Sequence, residues 1–358
     1  PRRPLMESGP CFPIRSPGRN SMKIGLVGYQ GSGKSTMFQW LTGEVSNPAL
    51  AHTTQTAMAV IPDDRVAGLC AVYNHKKVTL ASLEIVDTPG LAHDQEGNPA
   101  RLAMIREAGC LVHVAAAYRT ENPRAEQAAF EEDLLLTDLE IVTNRIERLK
   151  ESLRKPRPDR EKQQAEMDAL EPIFEQLNAG RPVRDLKLSS EQWAATRSFQ
   201  LLTLKPRITV LNLAEDEDPA KFAGDPQVIA VSLLLEQQLA GLPPEEQAAF
   251  CEEMGVSSIG TAGVIRRLME VSGQTLFFTA GEKEVRTWLI HQGATALEAA
   301  DSIHSDLARG FIRAETISCD DLIRLGSERE VKAANLVRQE PKDYVLQDGD
   351  IINIRFSV

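Results

Sequence analysis

The chain has 358 residues, of which 42% are hydrophobic and 25% are charged, and its formal net charge is −11. This length exceeds what one hydrophobic core usually fills, and the composition excludes wholesale disorder and collagen-like repeats. The acidic balance excludes a uniformly basic nucleic-acid binder, so any RNA contact has to be local. The five cysteines are odd in number and far apart, which favours a reducing compartment, and we predict a cytoplasmic protein.

Residues 1–21 are rich in proline and arginine and lack the apolar stretch of a signal peptide. We predict that they form a disordered N-terminal extension and that Met22 is the natural start. The longest apolar run, 110–118, is far shorter than the roughly 18 to 20 residues of a membrane helix. No membrane association is therefore predicted.

Short apolar strands alternate with loops and helices from Met22 onward. Strands are predicted at 24–27, 83–86, 111–116, 208–211 and 228–231. Runs that are apolar on both faces are typical of a parallel sheet covered by helices. The pattern predicts an α/β domain with a mostly parallel sheet over residues 22–122 and 200–273, which an insert divides.

A phosphate-binding motif follows the first predicted strand. Gly28-Tyr29-Gln30-Gly31-Ser32-Gly33-Lys34-Ser35 matches G-x-x-x-x-G-K-[ST] between a strand and a helix. In such a loop the backbone N–H groups of residues such as Gly31, Ser32 and Gly33 surround the phosphates. Lys34 supplies a cation, and the Ser35 hydroxyl ligates Mg²⁺. The motif predicts a nucleoside triphosphate site with a magnesium ion.

A second motif, Asp87-Thr88-Pro89-Gly90, follows the second predicted strand. Downstream of a phosphate-binding loop it is typical of a GTPase-like switch, in which Asp87 reaches the magnesium through water and the Gly90 amide senses the γ-phosphate. The next residue is Leu91, where Ras-like enzymes carry a glutamine that orients the attacking water. We therefore predict slow hydrolysis that depends on another group, a monovalent cation or a partner.

Base recognition is predicted at Asn212-Leu213-Ala214-Glu215, where GTPases place Asn-Lys-x-Asp. The aspartate of that motif accepts hydrogen bonds from guanine N1–H and the 2-amino group, and adenine presents neither donor. Because Leu213 replaces the lysine and the longer Glu215 replaces the aspartate, ATP is at least as well suited as GTP. The alternative is that Asn212 merely caps the end of its strand.

The insert, residues 123–199, is predicted to be an antiparallel coiled-coil hairpin with its tip near Pro156. Leucine, isoleucine, valine, methionine and phenylalanine recur at heptad spacing over 135–153 and 167–177. Residues 145–162 contain eight basic and four acidic side chains. This local charge of +4 indicates an RNA or ribosome contact, or a solvated hairpin tip.

Residues 274–358 are predicted to form a small α+β domain, with a turn at Asp348-Gly349 before a final strand. The motifs together resemble the YchF branch of the Obg-like ATPases, as a divergent member. The resemblance runs from about Met22 to Val358 and rests on the following segments: Gly31-Ser32-Gly33-Lys34-Ser35-Thr36, Asp87-Thr88-Pro89-Gly90-Leu91, Asn212 to Glu215, Val231-Ser232 with Glu236, and the 277–286, 309–315 and 347–352 segments.

The resemblance implies an ATP-preferring P-loop hydrolase with Mg²⁺ that associates with the large ribosomal subunit, with a C-terminal ubiquitin-like TGS domain. It also implies that Thr36 and Ser232 contact the nucleotide, that Leu213 contacts the base through its backbone, and that Thr54 is the switch I metal ligand. We expect a monomer. Two alternatives stay open: a nucleotide-sensing binding module with negligible hydrolysis, and a GTP-specific translational GTPase.

Overall fold

The computed structural model describes residues 22–50, 52–74, 77–92, 98–120, 122–154, 158–222, 224–254, 256–281 and 283–357. The predicted extension at 1–21 therefore lies outside the described residues. The chain divides into two compact units. The first, here called the P-loop unit, contains Met22–Ala59 and Glu84–Val264, and the second, the C-terminal unit, contains Val60–Leu83 and Ile265–Val358.

Strands and helices alternate along most of the chain. The strands are β1 (Lys23–Val27), β2 (Gln55–Val60), β3 (Val78–Thr79), β4 (Ser82–Asp87), β5 (Cys110–Ala115), β6 (Arg207–Asn212), β7 (Val228–Val231), β8 (Gln274–Ala280), β9 (Val285–His291), β10 (Phe311–Ser318), β11 (Arg338–Glu340) and β12 (Asp350–Phe356). The helices are α1 (Lys34–Thr42), α2 (Arg65–Tyr73), α3 (Asn98–Ile105), α4 (Pro123–Leu153), α5 (Arg160–Asn178), α6 (Ser190–Thr196), α7 (Leu233–Ala240), α8 (Pro244–Met254), α9 (Gly260–Val271), α10 (Ala296–Ile303), α11 (Ser305–Arg309), α12 (Cys319–Leu325) and α13 (Glu328–Ala333).

The sheet of the P-loop unit has the strand order β2-β4-β1-β5-β6-β7. Strand β1 is parallel to β4 and β5, and β6 is parallel to β5 and β7. Every residue of β5 is buried, as expected for a strand covered by helices on both faces. The predicted α/β fold with a mostly parallel sheet is confirmed. Strand β2 was not predicted; exposed residues alternate along it with partly or fully buried ones.

Helices α4 and α5 form the predicted hairpin within the P-loop unit. Val142 and Ile146 of α4 are buried in one cluster with Leu170 and Leu177 of α5. Phe174, predicted in the seam of α5, packs against this cluster while remaining partly buried, and its neighbour Ile173 is fully buried. Of the predicted tip, residues 155–157 lie outside the described residues.

The C-terminal unit contains a second six-stranded sheet with the order β11-β10-β12-β8-β9-β3. Strands β8 and β9 are antiparallel neighbours, and β12 lies parallel to β8. Helix α10 packs its alanines onto this sheet, where Ala296, Ala299 and Ala300 are fully buried. The predicted final strand follows a turn in which Gly349 has a φ of +86°.

The unit boundaries differ from the predicted domain boundaries at residues 60–83. This segment is predicted from the sequence to belong to the P-loop domain, whereas α2 and β3 lie in the C-terminal unit. Strand β3 pairs in parallel with β9, with Val78 opposite Val285 and Thr79 opposite Arg286. A strand of two residues carries no periodicity from which this pairing could be predicted.

Candidate nucleotide-binding site

The phosphate-binding loop connects β1 to α1. Gly33 immediately precedes α1 with a φ of +103°, and a Cβ at that position would lie 2.5 Å from Asn212 Nδ2. Both the backbone angle and the close contact therefore require glycine. The loop directs the N-terminus of α1 toward the site, which favours the binding of an anion.

Lys34 is the buried cation of the site, with a relative exposure of 6%. Its Nζ donates to the carbonyl of Tyr29 at 2.7 Å. Burial lowers the pKa of Lys34 to about 8, and the Asp87 carboxylate partly opposes that shift. The side chain therefore remains mostly protonated at neutral pH, as phosphate binding requires.

Ser35 and Asp87 meet where a magnesium ion was predicted. Ser35 Oγ donates to Asp87 Oδ2 at 2.7 Å, and Ser46 Oγ donates to the same oxygen at 3.1 Å. Asp87 Oδ1 is buried and has no hydrogen-bond partner among the described residues. Hydroxyl and carboxylate oxygens are the ligands that Mg²⁺ prefers, usually together with waters and substrate phosphates. This donor set fits the ion.

The described residues contain no group of three or more histidine, cysteine, aspartate or glutamate side chains able to enclose a metal by themselves. Thr54, the predicted switch I ligand, is exposed, and no hydrogen bond within the described chain joins it to Ser35 or Asp87. Ser46 was missed by the sequence analysis, because a single serine in a loop gives no recognisable signal. Gln55 Nε2 positions it by donating to its Oγ at 3.0 Å.

The second motif is joined to the phosphate-binding loop through the backbone. Gln30 N donates to the Leu91 carbonyl at 2.9 Å, and Leu91 N donates to the Gly28 carbonyl at 3.0 Å. A Cβ on Gly90 would lie 2.8 Å from Lys34 Nζ and 2.9 Å from the Gln30 backbone, so glycine is needed there. The Leu91 side chain is fully buried in the apolar cluster that includes Tyr29, and it cannot orient a water molecule.

The predicted base-recognition segment lies at the end of β6. Asn212 Nδ2 donates to the Ser32 carbonyl at 3.1 Å, while its Oδ1 accepts from Leu233 N at 3.1 Å. Asn212 therefore connects the phosphate-binding loop to the start of α7. Ser232 caps α7 by accepting from Leu235 N. The hydrogen bonds of Asn212 therefore join separate segments of the site, and its side chain does more than cap the end of β6.

Leu213 and Glu215, predicted to recognise the base, are held in defined positions. Leu213 N donates to the Val231 carbonyl at 2.9 Å, which extends the sheet by one residue. The Glu215 carboxylate is exposed and accepts from Gln238 Nε2 at 3.1 Å. Glu215 therefore already has a polar partner on α7.

A cavity of about 610 Å³ brings both motifs together. It is lined by Gly31, Gly33, Lys34, Ser35, Thr36, Tyr118, Asn212, Leu213, Ala214, Glu215, Ser232, Leu233, Leu234 and Gln237. Ser32 does not line the cavity, since it is fully buried and contributes its carbonyl to Asn212. Tyr118 was not predicted; a tyrosine just beyond a buried strand is too common to indicate a site.

The hairpin carries the predicted basic residues at its far end. Arg154 and Arg160 flank the tip and are exposed, whereas Lys155 and Arg157 lie outside the described residues. Arg145 forms two hydrogen bonds with the Glu166 carboxylate at 2.7 and 2.8 Å. The free positive charge is therefore concentrated nearer the tip than the sequence count indicated.

No helix in the described parts of the chain combines the length and the apolar character needed to cross a membrane.

Two family models match the chain. Residues 23–145 match a model described as 50S ribosome-binding GTPase. Residues 275–357 match the YchF GTPase C-terminal model, described as a protein of unknown function (DUF933). The matched segments lie at the phosphate-binding loop and in the C-terminal sheet.

Full-length relatives extend the similarity over nearly the whole chain. The ribosome-binding ATPase YchF of Bacillus subtilis is 34% identical over 368 aligned positions, covering 94% of this chain and all of the relative. Obg-like ATPase 1 of Oryza sativa subsp. japonica is 35% identical, covering 97% of this chain and 95% of the relative. The solved structure of the Schizosaccharomyces pombe YchF GTPase superimposes with a TM-score of 0.81 at 26% identity, covering 95% and 99% of the two chains.

Proposed function

Because the chain belongs to the YchF family of Obg-like ATPases, we propose that this nucleotide-hydrolysing enzyme prefers ATP over GTP, hydrolyses it slowly with Mg²⁺, and couples its nucleotide state to ribosome binding. The observation that carries the proposal is the 610 Å³ cavity, which Lys34 and Ser35 share with Leu213 and Glu215. One ligand can therefore contact the phosphate-binding loop and the specificity segment together.

Adenine preference is supported by the hydrogen bonds already made around Leu213 and Glu215. The Leu213 amide is used by Val231, which leaves its carbonyl as the backbone group for the base. The adenine 6-amino group donates to such an oxygen, whereas guanine presents another acceptor there. One oxygen of the Glu215 carboxylate already accepts from Gln238, and this bond competes with pairing to guanine in the manner of an aspartate.

A titration of ATP against GTP tests this preference. Replacing Leu213→Lys together with Glu215→Asp should move the ratio of ATP to GTP affinity toward GTP by about tenfold or more, because the guanine-pairing group is restored. Asp216→Glu is the matched control, since this neighbouring carboxylate does not line the cavity. An unchanged ratio in the double variant would show that the base is recognised elsewhere.

The chemical step relies on positioning and charge. Lys34 would hold the β- and γ-phosphates, and Ser35 and Asp87 would hold the magnesium ion, Asp87 through water. When bound, Mg²⁺ would neutralise negative charge on the phosphate oxygens. Gly90 lies close to the Lys34 ammonium, and we propose that its amide senses the γ-phosphate. We propose that Ser46 supports this site through its bond to Asp87, and that Thr54 reaches the metal only after movement of its loop.

Slow turnover is supported by the burial of Leu91, because its fully enclosed side chain offers no group to the attacking water. The same observation favours a second candidate function, a nucleotide-sensing module in which only the bound state signals. Multiple-turnover phosphate release with and without ribosomes separates the two. Release that stays at the no-enzyme rate under both conditions would favour the sensing module.

Ribosome binding is proposed from two sources. The B. subtilis relative carries it in its name, and the exposed Arg154 and Arg160 supply positive charge near the hairpin tip. We propose the tip and the C-terminal unit as contacts for the large subunit and its RNA, with the protein acting as a cytoplasmic monomer. Such contacts release counterions from RNA, so the association should weaken with rising salt.

Cosedimentation with ribosomes across a salt series tests the tip. Arg154→Gln, Lys155→Gln, Arg157→Gln and Arg160→Gln together should weaken pelleting and flatten its salt dependence, while ATP affinity stays unchanged. The control neutralises the exposed Arg181, which follows the C-terminal end of α5, and the exposed Arg197, which follows α6. Full pelleting of the quadruple variant at every salt concentration would leave the C-terminal unit as the proposed contact.

A further inference from the structure

Two residues directly beyond β5 contact the phosphate-binding loop. Tyr118 and Arg119 belong to a short 3-10 turn, Ala117–Arg119. The Tyr118 hydroxyl donates to the carbonyl of Gly31 at 2.7 Å. The Arg119 guanidinium lies over the Tyr118 ring, with Cζ 5.1 Å from the ring centroid. The tyrosine and the arginine thus both contact the loop at Gly31.

The guanidinium rests on the backbone of the loop itself. A Cβ added to Gly31, whose φ is +73°, would lie 2.9 Å from Arg119 Nη1 and 3.0 Å from Nη2. Gly31 also lines the cavity proposed for the nucleotide. Because the N–H groups of such a loop surround the phosphates, an arginine beside Gly31 would be close to the phosphate chain of a bound nucleotide.

Arg119 carries an uncompensated charge. It is exposed, and it forms no ion pair with any carboxylate in the described part of the chain. Arginine stays protonated and offers five N–H donors in a fixed plane, which suits phosphate oxygens better than a lysine does. A second cation besides Lys34 therefore lies beside the phosphate-binding loop, next to Gly31 and open to solvent.

We propose that Arg119 is a catalytic residue of ATP hydrolysis, an arginine finger supplied by the chain itself. This deepens the proposed function and rests on it. The water oxygen forms a bond to the γ-phosphorus as the bond to the β–γ bridging oxygen breaks, and that electron pair remains on ADP. The proton of the water passes to a phosphate oxygen. Arg119 donates hydrogen bonds to the oxygens on which negative charge develops. The apolar side chain of Leu91 has no donor that could do the same.

Tyr118 is assigned as a positioning residue, because its ring supports the guanidinium and its hydroxyl fixes Gly31. Tyr118→Phe keeps the ring and removes the hydroxyl bond. It should lower kcat without changing the KM for ATP. In a background that already carries Arg119→Ala it should have little further effect on kcat, since the two residues act as a unit.

Single-turnover hydrolysis of ATP tests the assignment. Arg119→Ala should lower the rate by about a hundredfold to a thousandfold, as expected for the loss of one preorganised donor to the developing charge, while the Kd for ADP changes by less than about threefold. Arg119→Lys should recover little, because one ammonium group cannot make paired bonds. Arg124→Ala is the matched control, an exposed arginine five positions further along the chain, and it should hydrolyse ATP as wild type does.

A second measurement uses ADP with aluminium fluoride, which mimics the transferring phosphoryl group. Wild type should bind this complex more tightly than ADP alone, and Arg119→Ala should lose that gain. Active wild type with an equally active Arg119→Ala variant would overturn the role of Arg119 and leave the proposed function intact. Wild type that binds ATP but never releases phosphate, with ribosomes or without, would overturn both.

Discussion

His113 makes the free energy of unfolding of the P-loop unit depend on pH, and one substitution separates its contribution from that of the other titrating groups. It lies in β5 with an exposure of 2%, and neither ring nitrogen has a hydrogen-bond partner in the described part of the chain. Its ring stacks on Phe130 with centroids 4.2 Å apart and an interplanar angle of 4°. Burial, together with the positive charges of Arg207 and Lys34, lowers the pKa of His113 from 6.5 to about 3.

The sign of the effect follows from that pKa. Between pH 6.5 and about 3, the unfolded chain binds a proton at His113 that the folded chain does not. The free energy of unfolding therefore decreases as the pH falls, by about 1.4 kcal/mol per pH unit below the unfolded pKa. Integrated from pH 7 to pH 5, the contribution of this one residue is about 2 kcal/mol.

The perturbation is His113→Leu, which removes the titrating ring but keeps an apolar side chain. From pH 7 to pH 5 the variant should lose about 2 kcal/mol less stability than wild type, since all other titrating groups are shared. Urea unfolding in a Trp288→Phe background reports on the P-loop unit, because Trp40 and Trp193 both lie there. The exposed His52 supplies the control, His52→Leu. Equal pH dependence in wild type and His113→Leu would refute the reasoning.

Two further predictions concern Lys34 and Asp138. Lys34→Ala should lower ATP affinity by at least about tenfold, because a buried cation facing the phosphates is lost. Calorimetry measures the affinity, and Lys221→Ala, at an exposed lysine, is the control. Unchanged ATP binding in Lys34→Ala would contradict the assignment of the phosphate-binding loop. Asp138 is fully buried and accepts from Arg106 Nη1 at 2.9 Å and from Thr203 N at 2.7 Å. Asp138→Asn removes the charge that pairs with the mostly buried Arg106 guanidinium. The variant should therefore lower the free energy of unfolding by about 3 to 5 kcal/mol. The exposed Asp168→Asn should change the free energy of unfolding by less than about 0.5 kcal/mol, and an equally small effect at Asp138 would show that its charged bonds do not stabilise the fold.

The parts of the molecule that could be predicted from the sequence are those with local or periodic signals. The phosphate-binding motif gave the loop from Gly28 to Ser35, and apolar runs gave the parallel strands around it. Contacts between distant segments give no local or periodic signal in the sequence. Asn212 was predicted for the base, yet its side chain spans from the Ser32 carbonyl to the Leu233 amide, an arrangement set by where three loops meet.

The same limit explains what was missed near the phosphates. Ser46 shares an oxygen of Asp87 with Ser35, and Arg119 rests on Gly31. Neither belongs to a spacing pattern, because each is brought to the site by the end of a strand or by a loop of irregular length. Burial of Leu91 was likewise visible only in the structure, although its inability to orient water followed from its chemistry.

The pairing of β3 with β9 bears on how this protein can be cut into pieces. Val285 N donates to the Lys77 carbonyl at 3.1 Å, and Ala81 N donates to Thr287 Oγ1 at 2.7 Å, so the outer edge of β9 is covered by a segment from the first quarter of the sequence. A recombinant fragment beginning near Ile265 would carry the C-terminal family match but leave that edge bare. Bare strand edges template self-association. A soluble fragment would need residues 60–83 joined to it. The C-terminal unit is therefore one compact body that two separate stretches of the gene encode.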